Sequence, residues 1–156
     1  MKRVILLVLV LSAVAAAQTT CTLNSVAGTY AVSYIGWVTM VLPDAAPVMF
    51  SGTIVGVISI GWDGKLSGGA AVSGLGPVAD YDISGTAEIK SDCTGTLRMK
   101  SKPRAGGAAE PETDRFVFIS SDRTLFATVV DLGPGMYPAM AGTWKQISPV
   151  PNTATW

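Results

Sequence analysis

Residues 79–90, Ala-Asp-Tyr-Asp-Ile-Ser-Gly-Thr-Ala-Glu-Ile-Lys, decide the fold of this chain, because apolar and polar side chains alternate along most of the stretch. A period of two sends alternate side chains to opposite faces of a β-strand. The apolar face comprises Ala79, Tyr81, Ile83, Ala87 and Ile89, and the polar face comprises Asp80, Asp82, Ser84, Thr86, Glu88 and Lys90. This pattern predicts an antiparallel strand with one face on a core and the other in water.

Short runs with the same period occupy most of the rest of the chain, and Gly, Pro, Asp or Asn separate them. We therefore predict an all-β domain of eight strands. The predicted bounds are Thr29–Thr39, Met49–Trp62, Lys65–Ser73, Val78–Lys90, Gly95–Lys100, Arg115–Ser120, Thr124–Asp131 and Met140–Ile147. Five Gly-Thr dipeptides among 17 glycines favour a tightly curved sheet, since glycine permits sharp bends in strands.

The predicted connections alternate between short and long along the chain. Short turns follow the second, fourth and sixth strands, and the first of them contains Asp63-Gly64, a strong hairpin signal. The connections after the first, third, fifth and seventh strands all contain Pro, and most of them are longer. In an up-and-down meander, successive connections lie at alternate ends of the sheet. The tight turns therefore share one end and the longer loops share the other.

The two cysteines provide a test of this arrangement. Cys21 precedes the first strand and Cys93 lies in the turn after the fourth, so both belong to the tight-turn end. A disulfide requires Cα atoms within about 7 Å of each other, and cysteines at opposite ends would contradict the arrangement. We predict a Cys21–Cys93 disulfide and an eight-stranded antiparallel up-and-down barrel that it staples at one end.

The N-terminal segment indicates export. Met1-Lys2-Arg3 is basic, Val4–Val14 is an apolar run too short to span a bilayer as a helix, and Ala15-Ala16-Ala17 follows. We predict a signal peptide over residues 1–17, a barrel domain over 18–148 and a C-terminal tail over 149–156. The expected location is secreted or periplasmic, an oxidising compartment in which paired cysteines form disulfides.

Composition argues against several kinds of site. The chain has no His, which is the commonest general base and metal ligand. Without the predicted signal peptide, nine Lys and Arg residues face eleven Asp and Glu residues, a net charge of −2, and no basic stripe is present. Nucleic-acid binding domains are usually basic. We expect no metal, no cofactor and no nucleic-acid partner.

The apolar faces of the predicted strands supply the candidate site. Eight strands enclose either a filled core or one small ligand, and aromatic side chains with a polar tip suit a pocket for an apolar molecule. The candidate ligand-binding residues are Tyr30, Tyr34, Trp62, Tyr81, Phe116, Phe118 and Trp144, and Phe50, Leu97 and Met99 share the apolar faces. The alternative is that these side chains simply fill the barrel.

Other segments supply further candidates. Residues 40–44 and 132–138 place apolar side chains in predicted mouth loops, which suggests a contact surface, a lid or local packing. Residues 100–112 run from basic to acidic and are predicted to form a mobile loop whose charges pair with one another. Paired carboxylates can divide acid and base roles, but the polar face of the 79–90 strand predicts that its Asp and Glu residues are solvated.

Several short motifs together carry a resemblance. They are Cys21, Gly28-Thr-Tyr30, Gly61-Trp-Asp-Gly-Lys-Leu-Ser-Gly68, Ser84-Gly-Thr86, Asp92-Cys-Thr-Gly95 and Gly142-Thr-Trp144. This frame resembles small secreted bacterial proteins of unknown function, which are similar to calycin-like barrels of the lipocalin and allene-oxide-cyclase kind. The resemblance spans nearly all of the exported chain and implies the fold, but it assigns no catalytic residue. It also implies that a pocket of the cyclase kind mainly shapes a reactive substrate.

Three functions fit the sequence. The leading hypothesis is a secreted, non-enzymatic barrel that binds a small apolar ligand. The second is a cyclase or isomerase that uses the same cavity, with Tyr30 or Tyr81 aimed at the substrate. The third is a small outer-membrane barrel with its apolar face outward, which Ser148–Asn152 and two short predicted strands oppose, since a spanning strand needs about 9–11 residues. We expect no membrane partner.

Overall fold

The protein is described by a computed structural model that covers residues 20–74 and 76–149. The predicted signal peptide lies outside the described residues, as does nearly all of the predicted tail. The described chain forms a closed barrel of eight antiparallel strands in sequence order. The elements are α1 (Leu23–Val26), β1 (Gly28–Met40), β2 (Val48–Ile60), β3 (Lys65–Ser73), β4 (Ala79–Ile89), β5 (Thr94–Pro103), β6 (Glu110–Ile119), β7 (Thr124–Asp131) and β8 (Met136–Pro149).

The barrel closes where β8 pairs with β1, from Gly28 opposite Pro149 to Met40 opposite Met136. The prediction of an eight-stranded up-and-down barrel is therefore confirmed. The alternation of 79–90 is also confirmed, since Ile83 and Ala87 are buried while Asp80, Asp82 and Glu88 are exposed on β4. Within residues 20–74 and 76–149, no helix is long and apolar enough to cross a membrane.

The disulfide between Cys21 and Cys93 is present, with the two Cα atoms 5.0 Å apart. It ties the segment before β1 to the turn between β4 and β5, as strand parity predicts. The short helix α1, which the sequence pattern did not reveal, closes this end of the barrel. Its Val26 is fully buried, and the Tyr30 hydroxyl donates a hydrogen bond to the Val26 carbonyl at 2.6 Å. We call this the closed end and the opposite one the loop end.

The start of β6 differs from the prediction. β6 begins at Glu110 rather than Arg115, and β5 continues to Pro103 rather than Lys100, so the connection between them is shortened to residues 104–109. Pro111 normally argues against a strand because it has no N–H for the ladder. It is accommodated here because β6 pairs with β7 only from Thr113 onward, which leaves Pro111 with a single neighbouring strand, β5.

The start of β8 differs for the same reason. It begins at Met136 rather than Met140 and includes Pro138. The pairing between β7 and β8 ends at Ala141, so Pro138 pairs with β1 alone. β7 itself runs on to Asp131, so near the loop end it separates from β8 rather than ending there.

The glycines of the five Gly-Thr dipeptides share one feature, which is that strand alternation places each of them on the inner face. They are Gly28, Gly52, Gly85, Gly95 and Gly142. Gly142 shows the reason most directly. A Cβ atom there would lie 2.6 Å from the ring of Tyr34, so only glycine lets that aromatic side chain pack against β8. At each of these five positions, the inner face of the barrel therefore carries no side chain.

Candidate functional site

The interior of the barrel is filled toward the closed end and hollow toward the loop end. The hollow part is a cavity of about 190 Å³. Its mouth lies among the β3–β4 connection, the first residues of β6 and the β7–β8 connection, which contribute Gly74, Pro111 and Leu132. Its walls are mostly apolar, with Val38, Phe50, Ile54, Val72 and Met140 among the lining side chains. The arrangement suits an apolar guest that enters from the loop end.

The structure separates the predicted site residues into three groups. Tyr34, Tyr81 and Trp144 line the cavity, together with Phe50 and Met99 from the same predicted apolar faces. These positions come from five different strands and converge because each side chain lies on the inner face.

The second group is buried but lies outside the cavity lining. Tyr30, Phe116 and Phe118 are each no more than 5% exposed. Phe116 packs against Gly95, and the Phe118 backbone N–H donates to the Cys93 carbonyl at 2.8 Å, which places both beside the closed end. Leu97, also predicted to be apolar and inward, is fully buried. These side chains form the filled part of the core.

Trp62 forms the third group, and its predicted inward orientation is wrong. The strand β2 ends at Ile60, and Trp62 lies in the tight turn before β3, where it is 42% exposed. Once the strand ends, alternation no longer assigns a face to a side chain. Trp62 is therefore remote from the cavity, at the closed end.

Two acidic residues inside the barrel were not among the predicted site residues. Glu112 and Asp114 lie on the inner face of β6, on the same side as Phe116 and Phe118. Asp114 is fully buried, and Glu112 is 9% exposed and lines the cavity. The period of two that runs through Phe116 and Phe118 continues back to both acids. That alternation is the signal that could have revealed them, had the segment not been assigned to a loop.

Asp114 is held by a chain of buried hydrogen bonds. The Trp144 indole N–H donates to the Tyr34 hydroxyl at 2.7 Å, and the Tyr34 hydroxyl donates to Asp114 Oδ2. The rings of Tyr34 and Trp144 meet edge to face, with centroids 6.5 Å apart. This chain fixes one oxygen of Asp114 and orients both aromatic side chains at the cavity floor.

Both carboxyl groups favour the protonated state more than carboxyls in water do. Burial raises the pKa of Glu112, and the charge of Asp114 beside it raises that pKa further. Burial also raises the pKa of Asp114, although its hydrogen bonds with Tyr34 and Glu112 oppose that shift. Because burial raises both pKa values, the two groups together hold a proton more readily than two carboxyls in water do. The pKa of the Tyr34 hydroxyl is raised as well, first by burial and then by Asp114, so it remains a donor.

The second oxygen of Asp114, Oδ1, is buried and accepts no hydrogen bond from an N–H or hydroxyl group among the described residues. The acidic proton of Glu112 can satisfy it, since the two carboxyl groups interact directly. Two like charges so close together cannot both ionise at low cost. We therefore describe Glu112 and Asp114 as an acid pair that shares one proton.

The acidic residues of the 79–90 strand have the solvated role predicted for them. Asp82 pairs with Arg104 at 2.8 Å, and Glu88 pairs with Arg98 at 3.1 Å, all on the exposed outer wall. The pairing of Arg104 with β4 corrects the prediction that the charges of residues 100–112 pair with one another. Since Glu112 points inward on β6, it is not a partner for the basic end of that segment.

The predicted mouth loops contribute unequally. Leu132 from the β7–β8 connection and Met136 at the start of β8 pack against the core and line the cavity. Val41 and Leu42 from the β1–β2 connection are more than 40% exposed. The first loop thus serves as part of the cavity wall, and the second presents apolar side chains to solvent.

Comparisons with protein-family models, with curated proteins and with solved structures yield no match for this chain. The described residues also contain no group of three or more His, Cys, Asp or Glu residues that could hold a metal ion. The function is therefore inferred from the geometry of the cavity.

Proposed function

We propose that this protein binds a small, largely apolar molecule in the cavity at the loop end of its barrel. The observation that carries the proposal is the contrast between the two halves of the interior. The closed end is filled by large side chains, whereas the loop end leaves about 190 Å³ empty behind a mouth. Interiors of proteins are normally close-packed, with few voids larger than a water molecule. A cavity of this size with apolar walls favours occupation by a guest.

The binding free energy gained from each CH₂ group of the guest sets how affinity should depend on the length of the guest. Burial of one CH₂ group contributes about 0.8 kcal/mol, or roughly fourfold in affinity. A linear guest should therefore bind more tightly with each added carbon until the cavity is full, after which longer chains should gain nothing.

The test is isothermal titration calorimetry with straight-chain alcohols from butanol to decanol. The affinity should rise roughly fourfold for each carbon and then reach a limit, and native mass spectrometry should show one guest per chain. No uptake of any alcohol, or an affinity that keeps rising without a limit, would contradict a cavity of fixed size.

The same proposal includes a secreted or periplasmic location and a calycin-like ancestry. The Cys21–Cys93 disulfide is typical of oxidising compartments, which supports export. A closed up-and-down barrel of eight strands is the architecture of small ligand-binding barrels, which supports the resemblance at the level of fold. Exported protein with residue 18 at its N-terminus, measured by mass spectrometry, would support the predicted cleavage.

One observation favours a cyclase or isomerase as the second candidate. Glu112 presents a carboxyl group with a raised pKa to an apolar cavity, which is the setting of a general acid. It replaces the predicted Tyr30, whose hydroxyl is bound to the Val26 carbonyl away from the cavity. Incubation with epoxide or polyene substrates should then yield rearranged products that Glu112→Gln abolishes. Unchanged turnover in that variant would remove Glu112 from the mechanism.

The distribution of charge argues against the outer-membrane alternative. The outer faces of β4 and β5 carry Asp80, Asp82, Glu88, Arg98 and Lys100, all exposed, while most of the inner face is apolar. Barrels that span membranes have the opposite pattern, with an apolar outer band and a polar lumen. We propose a barrel that works in water. The purified exported chain should remain dispersed without detergent, and a requirement for detergent would contradict this.

A further inference from the structure

We infer that the cavity selects guests that carry a protonated amine, which binds Glu112 while the apolar part of the guest occupies the rest of the cavity. This inference rests on the proposed function, because it names the chemical class of the ligand for the same cavity. Selective binding of an amine requires a negatively charged group within reach of the guest and no basic side chain that competes for it. It is favoured further by a buried polar atom that lacks a hydrogen-bond donor.

Glu112 provides the group within reach. Its side chain lines the cavity although more than nine-tenths of the residue is buried, so it contacts the cavity rather than bulk solvent. Ser101 on β5 also lines the cavity and hydrogen-bonds to Glu112. An ammonium group placed against Glu112 is therefore shielded from water. A charge-assisted hydrogen bond is stronger in such a shielded position than in solvent.

The charge around the cavity is one-sided. The other titratable groups that line it are Glu110 at the mouth, Tyr81 on β4 and Tyr34 on β1, and the lining contains neither Lys nor Arg. Asp114 lies behind Glu112 on β6 and is also acidic. A carboxylate guest would meet only negative or neutral groups, so fatty acids are poor candidates. A cation meets one net negative charge that no basic side chain of the lining neutralises.

Among the described residues, the buried polar atom that lacks an N–H or hydroxyl donor is Oδ1 of Asp114. The proton of Glu112 is the group that can serve it. An alcohol brings one donor to this site, whereas an ammonium brings three and also compensates charge. The acid pair therefore gains most from an ammonium.

The proton balance of binding follows from these charges. Before binding, one proton is shared by Glu112 and Asp114. When the ammonium of the guest binds the pair, its single positive charge balances the single negative charge of the pair, which keeps its proton. Binding of octylamine at pH 7 should therefore exchange no proton with the buffer, and the heat measured by calorimetry should be the same in buffers of different ionisation enthalpy.

The test compares three guests of equal chain length, octylamine, 1-octanol and octanoate, by calorimetry at pH 7. For the wild-type protein, octylamine should bind at least tenfold more tightly than 1-octanol, and octanoate should bind most weakly. In Glu112→Gln, the preference for octylamine over 1-octanol should disappear, so that the two guests bind with affinities within about twofold of each other. The matched control Glu88→Gln, on the outer wall, should retain the wild-type preference.

The outcomes separate the two proposals. If 1-octanol binds as tightly as octylamine, or if Glu112→Gln keeps the preference for the amine, the amine inference is overturned and the apolar cavity remains. If none of the three guests binds, the proposed function fails with it. Should Glu112→Gln not fold, as judged by circular dichroism, the wild type at pH 4 decides, because the acid pair then carries two protons and no charge. A preference for octylamine over 1-octanol that is undiminished at pH 4 overturns the inference.

Discussion

At the scale of single residues, the hydroxyl of Tyr34 joins two buried polar groups. It accepts a hydrogen bond from the Trp144 indole and donates one to Asp114 Oδ2. Because the hydroxyl serves as acceptor and donor at once, its loss leaves two buried groups without these partners. The residue thereby connects the aromatic wall of the cavity to the acid pair.

We expect Tyr34→Phe to lower the free energy of unfolding by roughly 2–4 kcal/mol, because each buried polar group left unpaired costs about 1–3 kcal/mol. Urea denaturation followed by circular dichroism measures the change. The control is Tyr30→Phe, whose hydroxyl serves only the Val26 carbonyl, and it should cost about half as much. A Tyr34→Phe variant as stable as wild type would show that Tyr34 acts through the packing of its ring alone.

The acid pair predicts how stability depends on pH. The pKa of Glu112 rises from its ordinary value to about 8 in the folded protein. A carboxyl with a raised pKa holds its proton more tightly when folded. Stability is therefore fully present below the unfolded pKa, near pH 4.5, and is lost as pH rises toward 8.

Wild type should lose on the order of 2 kcal/mol between pH 5 and pH 9, and Glu112→Gln should show a much flatter profile. Urea unfolding at four pH values provides the measurement, with Glu88→Gln as the matched exposed variant. A wild-type profile that is flat, or one that rises with pH in this range, is incompatible with a buried acid pair.

The sequence predicted the aromatic residues of the cavity more readily than its acids. Tyr34, Tyr81 and Trp144 belong to apolar faces, where alternation assigns an orientation. Glu112 belongs to a charged, Pro-containing stretch, and such stretches usually form exposed loops. The alternation that runs back from Phe116 assigns Glu112 to the inner face only if β6 begins before Glu112, and the pairing with β5 is what shows that it does.

At the scale of elements, the strands predicted to the residue are those between clear turn signals. β3 and β7 have the predicted bounds, whereas β6 and β8 extend past prolines that would normally end a strand. The prolines are tolerated because neither extension pairs with β7, whose pairing with β6 stops at Thr113 and whose pairing with β8 stops at Ala141. Where a strand ends depends on the pairing of its neighbouring strands as well as on its own residues. The ends of β6 and β8 could therefore not be predicted from their own sequences alone.

The close packing of the Tyr34 ring against Gly142 leads to a prediction for β8. An alanine there would place its Cβ 2.6 Å from the Tyr34 ring, and the ring cannot withdraw without disturbing Asp114. We expect Gly142→Ala to lower the free energy of unfolding by roughly 1–3 kcal/mol. The control is Gly76→Ala, where a Cβ would meet no atom within 4 Å, and it should change stability by less than about 0.5 kcal/mol. Equal effects would indicate that backbone entropy dominates.

The disulfide links two elements that are 72 residues apart in sequence. In the chain-entropy model, a closed loop of this length contributes roughly 4 kcal/mol. We expect the double variant Cys21→Ala, Cys93→Ala to lose about that much stability in urea denaturation, and reduction of the wild type to have a similar effect. A double variant as stable as the oxidised protein would show that α1 and the turns hold the closed end without the bridge.

At the scale of the whole molecule, the parity of strands predicted the two distinct ends of the barrel, and the disulfide agreed with it. The empty space could not be predicted in this way. Tyr81, which lines the cavity, and Leu97, which is buried in the core, both alternate with polar residues, so their sequence patterns are alike. Whether a side chain fills the interior or borders a cavity depends on the volumes of all eight inner faces together.

The cavity predicts a linkage between ligand binding and folding. A guest that binds only the folded barrel should stabilise it by about 2.7 kcal/mol at a concentration 100 times its Kd, which corresponds to a rise in Tm of roughly 5–10 °C. Val72→Phe should abolish this rise with 1-octanol, because the larger side chain occupies the cavity that Val72 lines. The matched control Val57→Phe, at a site 49% exposed on the outer wall, should keep the rise. If Val72→Phe retained the full shift in differential scanning calorimetry, the guest would have to bind outside the barrel, and the hollow loop end would not be the functional site.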